Sequence, residues 1–143
     1  MKKQFLALLS LFAMNGMAIA DDAESYLKGV EAEVDSASKR KSEAQAVASF
    51  RKAAEQGDAI AQYNLGIAYT TGEGVGKDEF QAAAWFRKAA EQWLASAQYN
   101  LGVAYAEGNG LVKDEAQAVA WFRKAAEQGD SDAQANLKEL SKQ

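Results

Sequence analysis

Residues 58–93 read DAIAQYNLGIAYTTGEGVGKDEFQAAAWFRKAAEQW and residues 94–129 read LASAQYNLGVAYAEGNGLVKDEAQAVAWFRKAAEQG; paired without a gap, the two 36-residue windows are identical at 25 positions. A period in the thirties marks a unit of two helices and a turn, which cannot bury its apolar face alone and stacks on its neighbours to form a continuous core. The pattern continues outward on both sides. Ser42 to Asp58 match Asp114 to Asp130 at 15 of 17 positions, and Ala133-Gln-Ala-Asn-Leu137 falls 36 residues after Ala97-Gln-Tyr-Asn-Leu101. The organisation expected is a degenerate unit over 22–57, full units over 58–93 and 94–129, and a terminal capping helix over 130–143. In the degenerate unit the first helix should lie in Ala23 to Val34, with Lys39-Arg40-Lys41 in a solvated turn.

Each full unit carries two helical signals. In the first helix Ala61, Leu65 and Ala68 recur at i, i+4 and i+7, as do Ala97, Leu101 and Ala104, giving a narrow stripe of mostly small side chains. Gly66 and Gly102 lie mid-helix, where glycine costs about 1 kcal/mol relative to alanine, so a close contact with neighbouring backbone is expected there. The second helix opens three times on a capping box, at Ser42-Glu-Ala-Gln45, Asp78-Glu-Phe-Gln81 and Asp114-Glu-Ala-Gln117. Gly57 and Gly129 are expected to end helices in the left-handed conformation, with Asp58 and Asp130 capping the next ones. Trp93-Leu94 replaces Gly-Asp at the middle boundary, so both the stop and the start are expected to be lost. The simpler reading folds these two side chains inward between units; the sharper one makes them an exposed edge for a partner.

Composition narrows the function. Lys2 and Lys3, the apolar run Phe5 to Met14 and the small residues Ala18-Ile19-Ala20 read as an export signal over 1–20, leaving a mature domain 21–143 that is periplasmic or secreted. The apolar run is about half the ~20 residues that a spanning helix needs, so membrane insertion after cleavage is not expected. Removal of Lys2 and Lys3 leaves 14 basic against 20 acidic residues, a formal charge of −6. That balance lacks the basic stripe that neutralises phosphates, and nucleic acid is excluded as a partner on this ground. The chain has neither cysteine nor histidine, which removes disulfides, thiolate chemistry, the commonest general base and the commonest metal ligand. No catalytic residue, metal or cofactor is expected.

Two motifs mimic chemistry. Thr71-Gly-Glu-Gly-Val-Gly-Lys-Asp78 has the glycines of a phosphate loop, but it joins two helices, its first glycine is out of register, and Asp78 stands where a magnesium-binding hydroxyl is needed. Its copy keeps only Gly108 and Gly110 of the three glycines, which is turn chemistry. Glu73, Glu107, Asp78 and Asp114 are explained by solvated turns and helix caps without any acid-base role.

The run Ala-Gln-Tyr-Asn-Leu-Gly-x-Ala-Tyr, then Gly-x-Gly, Lys-Asp and Ala-x-Ala-Trp-Phe-Arg-Lys-Ala-Ala-Glu-Gln, resembles the Sel-like repeats, a branch of the tetratricopeptide superfamily. The match covers 42–137 well and 22–41 poorly, with departures at Trp93 and at Ser49, which stands in a tryptophan position. The resemblance implies a right-handed superhelical solenoid of antiparallel helix pairs, about three and a half units long, whose first helices line a concave face for peptides or partner proteins. Carried over by motif position, the partner-contacting residues are Tyr63, Asn64, Ile67, Thr70, Tyr99, Asn100 and Val103, with Trp93 and Leu94 as the alternative edge. The asparagines could grip an extended backbone through paired donor and acceptor, and the tyrosines offer amphipathic area; equally, these side chains could serve packing between units. The expectation is a monomeric, non-enzymatic module that binds a protein or peptide. The rival readings are a hydrolase like the cysteine-rich, penicillin-hydrolysing relatives, against which the absence of cysteine counts, and a self-associating structural subunit.

Overall fold

The structure, a computed structural model, describes residues 17–142, with side chains from 21. The described residues are helical apart from turns: α1 (Met17–Glu55), α2 (Ala59–Thr71), α3 (Glu79–Glu91), α4 (Ala95–Glu107), α5 (Glu115–Glu127) and α6 (Ser131–Leu140). Of the expected signal, residues 1–16 lie outside the described residues and 17–20 have no described side chains. The chain divides into two compact units after Lys41.

The described residues of the upstream unit are the first part of α1. The helix runs without a break through Lys39-Arg40-Lys41 and Ser42, so the turn expected there does not form, and Ser42 caps no helix. The reason is local. From Glu31 to Gln56 there is no glycine, the chain has no proline, and neither copy of the Gly-x-Gly turn has a counterpart here. A cap residue starts a helix only where something upstream has ended one. Lys28 pairs with Glu24 at 3.2 Å across one turn, and the Arg40 guanidinium donates to the Ser36 carbonyl at 3.3 Å.

In the second unit, from Ser42, α2 and α3 form one antiparallel pair and α4 and α5 another. The direction is fixed by two contacts. Gln92, just past the end of α3, donates to Gln62 near the start of α2 at 2.8 Å, and Phe86 in mid-α3 lies against Gly66 in mid-α2. A methyl group at Gly66 would sit 2.6 Å from the Phe86 ring, and one at Gly102 would sit 2.7 Å from the Phe122 ring. The glycines therefore admit an aromatic ring of the paired helix, not the neighbouring backbone expected from the sequence. Leu65 and Leu101 are fully buried, and alanines supply most of the remaining core.

Helix ends follow the sequence closely. Asp58, Asp78, Asp114 and Asp130 each accept a backbone N–H three residues on, at 2.7–3.0 Å, while the Gln81 and Gln117 side chains stay exposed. Gly57 and Gly129 adopt φ of 95° and 91°. At each, the two reverse bonds of a Schellman ending form, Gly57 N–H to Ala54 and Asp58 N–H to Ala53 in the first case.

The middle boundary corrects the expectation. Trp93 takes φ of 67° and its N–H reaches the Ala90 carbonyl, while Leu94 N–H reaches that of Ala89, so the same ending forms on a tryptophan. The stop is kept, and α4 starts after Leu94 without a side-chain cap. Trp93 does not fold inward: it is 63% exposed, while Leu94 packs against the core formed by Phe86, Ala97 and Leu101.

Candidate functional site

Alanine-rich stripes let successive helices approach closely, and the interval between α2 and α4, floored by α3, holds a cavity of about 120 Å³. Ile67 and Thr70 enter it from α2, Asn100 and Val103 from α4, and Ala82, Ala83 and Phe86 form the floor. Four of the seven residues singled out by motif position thus meet in one place. Of these only Ile67 and Val103 are counterparts at the 36-residue period; α2 adds Thr70 and α4 adds Asn100, so the two helices line the interval with overlapping but offset faces.

The polar groups differ in how far they are already engaged. The Thr70 hydroxyl donates to the Gly66 carbonyl at 3.0 Å, leaving its lone pairs free to accept. Asn64 and Asn100 make no side-chain hydrogen bond among the described residues, although both are half-buried. An amide in that position can both donate to and accept from an extended backbone. Glu79, in the first turn of α3, and Asn109, in the turn after α4, complete the rim, and sequence reasoning had assigned neither to it.

Asn64 does not line the cavity, and neither do Tyr63 and Tyr99. Their rings lie 5.8 and 5.7 Å from Phe86 and Phe122 in tilted contact, and the Asn136 amide reaches the Tyr99 hydroxyl at 3.5 Å. These distances are the range in which aromatic pairs add to core packing, so the two rings serve the fold at least in part.

Two further sets of residues recur at the same period. Gln62 and Gln98, 5% and 1% exposed, each donate to a carbonyl of the preceding helix, Ala54 at 3.1 Å and Ala90 at 3.2 Å. Each also accepts from a glutamine at the end of the following helix, Gln92 at 2.8 Å and Gln128 at 2.7 Å. Arg51 and Arg87 donate to the Tyr69 and Tyr105 hydroxyls at 3.0 and 2.7 Å, joining the second helix of one unit to the first helix of the next. The signal for the glutamines was present: an amide repeating at one register within an alanine stripe.

Asp78 and Asp114 are occupied by their helix N-termini. Among the described residues no group of three or more acidic, histidine or cysteine side chains is placed to hold a metal, and no helix is long and apolar enough to cross a membrane.

Antiparallel helix pairs in tandem, an alanine-rich seam and an open interval between first helices define a helical-repeat solenoid. Comparison with known proteins places it further. The Sel1 repeat family model matches residues 11–58, 59–92 and 95–130, and the chain belongs to that family. Sel1 repeats are typically protein-interaction modules, and proteins built from them are generally non-enzymatic scaffolds. No curated protein matches the chain significantly.

Solved structures do match. A protective antigen of uropathogenic Escherichia coli strains with an SLR fold is 47% identical with a TM-score of 0.62, over 63% of this chain and 19% of its own. A Sel1 repeat protein from Oxalobacter formigenes is 42% identical with a TM-score of 0.62, over 63% of this chain and 68% of its own. Helicobacter pylori cysteine rich protein B is 34% identical with a TM-score of 0.61, over 64% of this chain and 68% of its own. The chain thus spans about a fifth of the antigen.

Proposed function

We propose that this protein is exported by residues 1–20 and that its mature domain, 21–143, binds an extended segment of a partner protein along the concave, first-helix face. The observation that carries the reading is the convergence of Ile67, Thr70, Asn100 and Val103 on one interval between repeats. Apolar walls with a few polar groups at the rim are the common form of a site that orients a ligand without chemistry. Asn64 and Asn100 would hold the partner's backbone, and Tyr63 and Tyr99 would contribute their exposed edges beside the groove. The domain acts as a monomer in this reading, and its periplasmic or secreted location rests on the signal-like sequence alone.

The test is affinity capture from periplasmic extract with the wild-type protein and with Thr70→Trp/Val103→Trp, which fills the interval sterically. Both must show the same helical circular dichroism. Partners lost only by the filled variant support the reading, and partners held equally by both overturn it.

A second reading rests on a specific observation. Trp93 holds a left-handed conformation that side chains rarely adopt and yet stays 63% exposed, at the same end of the α2–α3 pair as Ile60, which is likewise 63% exposed. Capture that fails with Trp93→Gly and survives groove filling would move the contact to the Trp93-Leu94 edge.

A further inference from the structure

We propose that the interval between α2 and α4 takes a basic side chain of the bound segment, its methylene stem against Ile67, Val103 and Phe86 and its cation at the Glu79 carboxylate. This inference deepens the concave-face reading and rests on it.

Three observations converge. Among the described residues that line the cavity, Glu79 alone is charged, and no cation lines it. An acidic segment would meet that carboxylate directly, and a purely apolar one would strip water from it while bringing no partner of its own. A long-stemmed cation meets both demands, because lysine and arginine lay their stems along apolar surface while the head stays at a polar rim. The volume, about 120 Å³, is about four times the ~30 Å³ share of one water, which suits a four-carbon stem with its head group at the rim.

Glu79 is already reached by an ammonium. The Lys77 Nζ lies 3.6 Å from the Glu79 carboxylate, with the two side chains 61% and 43% exposed. An ion pair that open is weakly held, so an incoming cation whose stem is buried displaces it. Lys77 then acts as a built-in competitor, and its removal should tighten binding.

The interval is not repeated downstream. At the registers of Asn100 and Val103 the next unit has Asn136, which is engaged with Tyr99, and Glu139, which pairs with Lys142 at 2.9 Å. One basic residue per bound segment is therefore the expected reading.

The test is a titration of isotopically labelled protein, in the form that accumulates in the cell, followed by amide NMR. The probes are acetyl-Ala-Ala-Lys-Ala-Ala-amide and its analogues with norleucine or glutamate in place of lysine. The lysine peptide should shift the Ile67, Thr70, Asn100 and Val103 amides and bind about two- to fivefold more tightly than the norleucine peptide, with the glutamate peptide weakest. Lys77→Ala should tighten the lysine peptide alone, and Glu79→Gln should erase the preference for lysine over norleucine while keeping norleucine binding. Equal binding of all three peptides at the groove overturns the proposal and leaves the concave-face reading standing. Shifts confined to other surfaces, or no shift with any peptide, also overturn it, and the groove-filling capture experiment then decides the concave-face reading on its own.

Discussion

Gly102→Ala sets two calculable effects against each other. Replacing a mid-helix glycine by alanine stabilises a helix by about 1 kcal/mol, because the unfolded chain loses freedom and the helix gains a favourable residue. Here the added methyl would lie 2.7 Å from two Phe122 ring carbons, where non-bonded carbons prefer about 3.5–4.0 Å. The ring would have to retreat by nearly an ångström, and Phe122 is only 2% exposed, packed among Ala118, Ala125 and Ala133. Overpacking of this kind costs about 1–3 kcal/mol. The net expectation is a loss of about 1 kcal/mol, which lowers the unfolding midpoint of a domain this size by about 3–5 °C. Thermal and urea unfolding followed by circular dichroism would measure it. A double-mutant cycle with Phe122→Leu isolates the cause: the leucine should relieve the clash, giving a coupling of at least about 1 kcal/mol. A Gly102→Ala protein more stable than wild type, or a coupling near zero, would refute the steric account of the repeated register of Gly66 and Gly102.

Trp93→Gly should stabilise the fold by about 0.5–1 kcal/mol, since glycine adopts φ of 67° without the cost a side chain bears there and little burial is lost; a lower melting temperature would show that Trp93 makes contacts of its own. Gln98→Met keeps the volume and removes two hydrogen bonds, while the Ala90 carbonyl still accepts from Trp93 N–H, so denaturant unfolding should show a loss of about 1–2 kcal/mol and no more. Gly110→Ala should be the most damaging change, by more than about 2 kcal/mol, because its φ is 69° and its methyl would overlap the Glu79 carbonyl; insoluble or unfolded protein with Gly76→Ala unaffected would agree, and a wild-type midpoint would not.

The helix pairs and most of their ends were legible in the sequence because they are local events read off one register. Aspartate three residues before a free amide, and glycine where φ turns positive, leave direct traces. The continuous helix α1 was not legible from Ser42-Glu-Ala-Gln45, because a cap signature describes only the residues downstream of it, and the deciding fact was the lack of a breaker upstream. Trp93 misled for the complementary reason: tertiary packing of Leu94 and the two reverse hydrogen bonds hold a conformation that propensity disfavours. Of the seven residues chosen by motif position, Ile67, Thr70, Asn100 and Val103 line the interval, whereas Asn64 does not and the rings of Tyr63 and Tyr99 turn toward Phe86 and Phe122, a difference that register alone does not carry. Glu79 and Asn109 were missed because they come from a helix start and a turn, brought to the rim only by stacking.

The chained glutamines make rigidity a matter of position along the array. Gln62 and Gln98 each bridge the helix before and the helix after, whereas Gln134 donates to the Ala126 carbonyl at 3.2 Å, lies exposed, and has no later described helix to answer it. Opening the array at α6 therefore breaks one such link, while opening it at α4 breaks the links on both sides. Within the second unit, amide hydrogens should exchange fastest in Ser131–Leu140 and slowest around Leu65 and Leu101, so that this unit opens at α6 well below the cost of its global unfolding.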